Sequence, residues 1–418
     1  MLSVSKIKNN SELKTILTNF SYLTVLQIAG YIFPLITMPY LARVIGVEGF
    51  SKIAFAAAII SWIQTIADWG FNYTATRDVA QNRSDSVAVS RIFSNVLWSR
   101  LFLTSLSLII LVALIFTIPS FRENASIILV TFILIPGHIF FPDWFFQALE
   151  RMKYITIMNI IIKLIFTLLV FVFIKTQSDY ILQPLFTSIG YLFCGAVSFF
   201  IILKKWGYQL YRPCFLSIIS TIRQSTDVFV NNIAPNLYNS VSVILLGSVC
   251  GGGANGIFEG GNKLISIANQ FISIISRAIF PFLSRRIEKH HIYAKINMSI
   301  TVLASLVIFI FAPFLIRILL SPEFSESIVV LRILSISMIF LVMSNTYGVT
   351  YLMIQREERI LRNITLVCSL IGMFISYPLI SAYSYIGAAI TIFISRFLLG
   401  VVTYFYARKV QSRSKSNE

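Results

Sequence analysis

Six basic side chains fall inside stretches too apolar to lie in water: Arg100, Lys163, Arg277, Arg317, Arg332 and Arg396. A charge at the middle of a bilayer costs at least about 2.5–3.5 kcal/mol, so such a residue faces a wet cavity, pairs with an acid or snorkels to an interface. Arg317 and Arg332 stand close to the ends of their stretches, and snorkelling accounts for them. Arg100, Lys163, Arg277 and Arg396 sit deeper. None of these four has an acid three or four positions away on its own helix. The intramembrane acids are Asp68 and Asp143, both near the ends of their stretches. Positive charges outnumber negative ones, so some cations have no acid to pair with. The expectation is a water-filled central cavity of positive potential, lined by Arg100, Lys163, Arg277 and Arg396 and suited to an anionic substrate. The alternative is structural pairing across helices. Asp68 and Asp143 are the candidates for a gate or coupling-ion site. For Asp68, within DWGFNYTATRDVA (68–80), the competing reading is a helix end with a glycine stop and a cap at Thr74 or Thr76.

Other chemistry is not indicated. No HExxH, GxSxG or P-loop pattern occurs, so an enzyme is not expected. Cys194, Cys214, Cys250 and Cys368 are scattered, with neither disulfide nor zinc spacing. No metal or cofactor is expected. The glycines between 251 and 261 lack the Lys-Ser/Thr of a phosphate cradle and read as a flexible turn. His138 reads as a side chain bonded within the bundle. His290 and His291 fall in a basic turn and need no special role.

The elements that must carry these residues are membrane helices. Of 418 residues, 57% are hydrophobic and 12% charged, against roughly 25% charged in soluble proteins. A span needs about 20 apolar residues. Twelve stretches qualify: 17–41, 50–72, 92–118, 126–148, 154–174, 181–203, 228–249, 263–283, 297–320, 328–353, 363–382 and 386–407. The net charge of +17 sits in short turns between them. No basic run is long enough to track nucleic acid. Most Lys and Arg fall in the turns on the side of the N-terminus. By the positive-inside rule that side, with both termini, is cytoplasmic. Trp69, Trp144 and Trp206 fall near the inner ends, where an interfacial aromatic belt would place them.

The fold class expected is therefore an all-α polytopic membrane protein of twelve helices in two six-helix bundles. The bundles are 1–203 and 228–418, joined by a cytoplasmic linker at 204–227. A weak internal repeat supports the division. LARVIG (41–46) and LGSVCG (246–251) share Leu41/Leu246, Val44/Val249 and Gly46/Gly251 in equivalent places, as in transporters built from repeats.

Three stretches carry a family resemblance: YIFPLITMPYLARVIGVEGFSKIAFA (31–56), DWGFNYTATRDVA (68–80) and FPDWFFQALERMKYIT (141–156). Together they resemble the O-antigen flippases, the polysaccharide branch of the multidrug/oligosaccharidyl-lipid/polysaccharide exporter superfamily. The resemblance implies two bundles that alternate between inward-open and outward-open forms in a bacterial inner membrane. It implies transfer of an undecaprenyl-pyrophosphate-linked repeat unit from the cytoplasmic to the periplasmic face. It also implies an ion gradient as energy source, and a polysaccharide polymerase and chain-length regulator as partners. A pyrophosphate is anionic, in keeping with the surplus of intramembrane cations. Multidrug export by the same fold would favour acids in the cavity. A polymerase would need large periplasmic loops, which the short turns do not supply. A non-transporting component of an assembly complex is the third alternative.

Overall fold

A computed structural model describes residues 9–283, 287–355 and 357–416. The described residues contain helices and no strand. The order is α1 (Asn9–Asp68), α2 (Phe71–Gln81), α3 (Ser86–Thr117), α4 (Pro119–Glu123), α5 (Ala125–Phe132), α6 (Leu134–Phe140), α7 (Asp143–Ala148), α8 (Met152–Phe173) and α9 (Leu182–Phe200). There follow α10 (Phe215–Ile233), α11 (Asn239–Val249), α12 (Gly252–Leu283), α13 (His290–Leu319), α14 (Ser327–Ser344) and α15 (Glu358–Ser416). A π-helical turn, Asn345–Leu352, extends α14.

Eight stretches of the described residues are helical, long and apolar enough to cross a bilayer. Two of them, Thr24–Gln81 and Arg359–Ser412, have 58 and 54 residues, far more than the roughly 20 that one crossing needs. Both are broken. In α1 the break is Gly46 (φ 61°, ψ −172°). In α15 it is Ser384 (φ 49°), and the chain there doubles back: Gly387 lies on the Leu379 backbone, and Gly372 lies on Ser395 and Tyr238. Large apolar side chains point outward along the helices, among them Ile109, Phe116, Leu303 and Phe374 at 68%, 70%, 62% and 72% exposure. Water would not tolerate that much unpartnered apolar surface, so these faces meet lipid and the protein is a multi-pass membrane protein. Buried hydroxyls satisfy themselves on their own helix. Ser99, Thr131, Thr301 and Thr391 each donate to the carbonyl four residues back.

Contacts divide the chain into two units, Met1–Leu41 with Ile63–Val230 and Ala42–Trp62 with Asn231–Glu418. The division departs from the sequence expectation in two places. Residues 42–62 join the second unit, and the stretch expected as a linker belongs to the first, with α10 already helical from Phe215.

The first unit is built on an aromatic core. Pro142 lacks an amide hydrogen and ends α6, so α7 starts a separate, inward-lying turn. Trp144, Phe145 and Phe146 on α7 are buried together with Phe93 of α3. Trp144 is thus a core residue at 2% exposure, not part of an interfacial belt; the rings of Phe93 and Phe145 pack against it. Around this core three basic turns gather at one end. Arg83 holds Glu150 at 2.8 Å and donates to the Leu149 carbonyl. Arg151 lies over Trp206, and Arg91 over Tyr211. The turn at 81–86, that at 149–152 and the segment 204–214 therefore share a side.

The second unit seats residues 42–62 against α11, α12 and α13. Arg43 donates to the Ile318 carbonyl at 3.0 Å, the Val47 amide donates to Glu323, and Phe50 packs edge-on against Phe324. Gly46 and Gly251, equivalent in the internal repeat, both take positive φ, at 61° and 79°. Only Gly251 of the glycine cluster behaves as a turn. From Gly252 the chain is α12, and its glycines are contact surfaces: Gly256 abuts the Val47 carbonyl, Gly260 the Phe324 ring and Gly261 Val330. Small residues let membrane helices approach closely, which the sequence reading mistook for flexibility. Gly256→Val is expected to lower stability by about 1–3 kcal/mol through overpacking, measured as melting of the detergent-solubilised chain. Gly253→Ala, whose new methyl would have Val47 as its nearest neighbour at 3.9 Å, should change it by less than about 0.5 kcal/mol. Equal melting of the two variants would remove the packing role from Gly256.

Candidate functional site

The end of α1 sets the geometry of the first unit's charged cluster. Trp69 (φ 40°) and Gly70 (φ 81°) turn the chain left-handed between α1 and α2. Gly70 adopts this conformation without strain, and a side chain there would also meet Val228 at 2.7 Å. Trp69 stacks on Phe229 with centroids 3.8 Å apart, and Thr74 bonds Ser225 at 2.7 Å. The break leaves Asp68 on the last turn of α1, facing α3. There Arg100, 3% exposed, donates one nitrogen to Asp68 and to the Asn72 side chain. Its Nε and Nη1 are buried and unbonded. Asp143 opens α7, accepts the Trp144 amide at 2.8 Å, and lies within electrostatic reach of Arg100 and Asp68. His138 stacks on Tyr191 at 4.1 Å.

Arg100 and Asp68 therefore neutralise each other. A charge expected to line a cationic chamber is committed to a carboxylate, and an acid expected as a free gate is committed to a guanidinium. The sequence pointed to this pairing only as the alternative, because the partners lie on different helices.

The other cations differ. Lys163 on α8 packs with its Nζ against Gly30 and has no carboxylate neighbour among the described residues. Arg396, on the second arm of α15, is 7% exposed. It donates to Ser337 at 3.0 Å, lies near the Tyr238 hydroxyl, and leaves Nε without a partner. No acid stands beside it among the described residues. The side chain of Arg277 lies outside the described residues. Of the two arginines read as snorkelling, Arg317 is exposed, and Arg332 rests over the Phe309 ring and donates to its carbonyl. In the first unit the Arg100 charge is paired and that of Lys163 is not, and in the second unit Arg396 is buried with no counter-charge among the described residues. No group of three metal-ligating side chains occurs among the described residues.

Several participants escaped the sequence reading. Asn72, Tyr238 and Ser337 are ordinary polar residues until a cation is seen beside them. His290 is buried at 4% exposure, not in an open turn. It bonds the Thr346 carbonyl at 2.9 Å within the π-helical turn, and Asn297 donates to the Thr346 hydroxyl. Hydrophobic spacing gives no sign of a π turn.

This arrangement of broken helices belongs to a known class. The structure is similar to that of the lipid II flippase MurJ in an inward closed conformation, with TM-score 0.65, 13% identity, and coverage of 94% of this chain and 87% of that one. It is also similar to an outward-facing multidrug resistance MATE family transporter of the MOP superfamily, with TM-score 0.56, 15% identity and 97% coverage of each chain. Identities this low establish the fold alone. Residues 16–287 match the model of the polysaccharide biosynthesis protein family, and the chain belongs to that family. A protein of Escherichia coli (strain K12) named "Putative O-antigen transporter" is 27% identical over 398 residues, covering 93% of this chain and 96% of that protein. The capsular polysaccharide biosynthesis protein CapF of Staphylococcus aureus is 22% identical over 285 residues, covering 64% of this chain and 70% of its own.

Asp68→Asn leaves a buried guanidinium unpaired and is expected to destabilise the protein by about 3–5 kcal/mol, seen as reduced membrane abundance and a lower melting temperature. Adding Arg100→Leu should recover part of that loss, a coupling read from the double-mutant cycle. Simple addition of the two losses would mean that the pair contributes nothing as a pair.

Proposed function

We propose that the chain is a flippase. It carries undecaprenyl-pyrophosphate-linked O-antigen or polysaccharide repeat units from the cytoplasmic to the periplasmic face of the bacterial inner membrane, by alternating access of two six-helix bundles. It acts as a transporter and not as an enzyme. In this reading the two overlong helical stretches each cross twice, the chain crosses twelve times and both termini are cytoplasmic. The observation that carries the proposal is Arg396: a buried guanidinium that no carboxylate among the described residues neutralises, bonded to the Ser337 hydroxyl with the Tyr238 hydroxyl nearby. Such a group suits the pyrophosphate that joins glycan to lipid carrier. Lys163, also without an acid, is assigned to the same substrate, as is Arg277. Asp143, beside the neutralised Arg100–Asp68 pair, is assigned with Asp68 to the gate or to a coupling ion drawn from a gradient. A polymerase and a chain-length regulator would receive the product.

Export of cationic drugs is the weaker reading, because the buried, unpaired charge of Arg396 among the described residues of the second unit has the wrong sign for it. The membership of a polysaccharide family and the names of the relatives favour the glycolipid.

Deleting the gene should cause lipid-linked single repeat units to accumulate on the cytoplasmic leaflet, measured by their inaccessibility to an added periplasmic glycosidase or lectin. Arg396→Gln should reproduce at least a tenfold loss of translocation at normal abundance, with Arg396→Lys intermediate. Unchanged surface glycan in the deletion strain, with no second flippase gene present, would overturn the proposal.

A further inference from the structure

We propose a second recognition site, for the neutral sugar rings of the substrate, in a cleft of the first unit between α2, α3 and α10. The cleft measures about 360 Å³, at the small end of the roughly 300–1,000 Å³ typical of ligand pockets. That suits one or two pyranose rings and not a whole glycolipid. The proposal rests on the flippase reading for its substrate, and on the cleft's own walls for its chemistry.

α10 turns a polar stripe into this space, α2 adds three polar side chains and α3 one, while Ala75, Ile92, Val96 and Leu216 supply apolar patches between them. From α10 come Ser217, Ser220, Thr221 and Gln224, which fall on one face by helical spacing. From α2 come Thr74, Arg77 and Asp78, and from α3 comes Asn95. Helices that pack for stability alone close such a gap with apolar ridges. Here the gap is kept open by a scaffold. Trp98 donates to the Tyr211 carbonyl at 2.9 Å, and Ser90 and Ser94 accept the Gln209 and Tyr211 amides. These bonds pin the segment 207–214 along α3 and so fix where α10 begins. At the other end the Trp69–Phe229 stack and the Thr74–Ser225 bond hold α10 to α2.

The charge of the walls selects the ligand. Arg77 bonds Asp78 at 3.1 Å, so the cleft carries no net charge and offers a phosphate no advantage. What it presents is a mixed set of hydroxyls and carboxamides, donors and acceptors in similar number. Gln224 spends its amide nitrogen on Ser220 at 3.2 Å, which leaves its carbonyl oxygen for a ligand hydroxyl. The Asn95 side chain is half-buried, and the hydrogen bonds described leave it free to both donate and accept. A polyhydroxylated, uncharged ring matches such walls. The cleft also opens beside the basic turns at 81–86 and 204–214, the end at which the flippase reading places the cytoplasm, where a glycan awaiting transport would be met.

The test uses the purified full chain in detergent. Its probes are the soluble repeat-unit oligosaccharide, released by mild acid from the host's own lipid-linked intermediates, and inorganic pyrophosphate. Binding is followed by saturation-transfer NMR and titration calorimetry. The unaltered chain should bind the oligosaccharide. Asn95→Ala and Gln224→Ala should each weaken that binding at least fivefold and leave pyrophosphate binding unchanged. Ser220→Trp, at an exposed position where the side chain would fill the cleft, should abolish it while the protein stays monodisperse with an unaltered melting temperature. Absence of oligosaccharide binding, or equal binding by all three variants, overturns the proposal. Equal weakening of both probes overturns it too, since it would place the loss elsewhere. The flippase reading fails separately, through unchanged surface glycan in the deletion strain.

Discussion

An ionised group in a hydrocarbon layer must be given a partner, and the first unit is arranged around one such obligation. Arg100 is buried on α3, and the nearest available acid is on another helix. To bring Asp68 to it, α1 has to end at that residue. The left-handed pair Trp69–Gly70 ends it, and the chain leaves along α2 in a new direction. The same turn aims Trp69 at Phe229 and Thr74 at Ser225, so one ion pair indirectly fixes where α10 lies. An interaction that is nearly neutral as a net contribution to stability is in this way decisive for geometry, because every alternative leaves a charge alone among apolar side chains.

The pattern of apolar stretches made the membrane class and most helix positions legible, since a bilayer admits little besides helices. The tilt of Lys and Arg toward particular turns was equally legible, and three of those turns do lie together in the first unit. What the sequence could not convey was partnership. Arg100 and Asp68 are far apart in the chain, and nothing on either helix announces the other. Trp144 was placed at an interface because tryptophan next to a basic turn usually sits there, yet Pro142 sends its helix inward. The glycines after Gly251 looked like a loop by composition. Whether a glycine serves a turn or a contact depends on what approaches it, and the Val47 carbonyl that approaches Gly256 comes from a different helix. His290 was misread for a related reason: the polar residues around it mark the start of a helix whose first turn is covered by the π-helical segment.

Gly46 and Gly251 show how far a faint repeat can be taken. Their equivalence rested on three matching residues, too few to argue homology. Both nevertheless hold positive φ where one helical segment gives way to the next. Only glycine enters that region without strain, so the shared requirement is conformational. The neighbouring matches carry less: Leu41 and Leu246 are both buried, whereas Val249 is 45% exposed.

Arg100 and Arg396 pose the same physical problem and receive different answers. Each is almost wholly buried, and each keeps donors that bond nothing. For Arg100 a carboxylate removes the net charge, and the unbonded donors are the residue of an otherwise satisfied group. For Arg396 the neighbours are hydroxyls, which orient a guanidinium without neutralising it. Gly372 lets the backbone approach Tyr238 closely, since a side chain there would strike the tyrosine Cβ at 2.8 Å. A fold selected for stability alone would replace such an arginine with leucine, since an apolar side chain of similar volume costs nothing to bury. Among the described residues Arg396 keeps its charge with no acid beside it, so its burial is offset by orientation and hydrogen bonding alone.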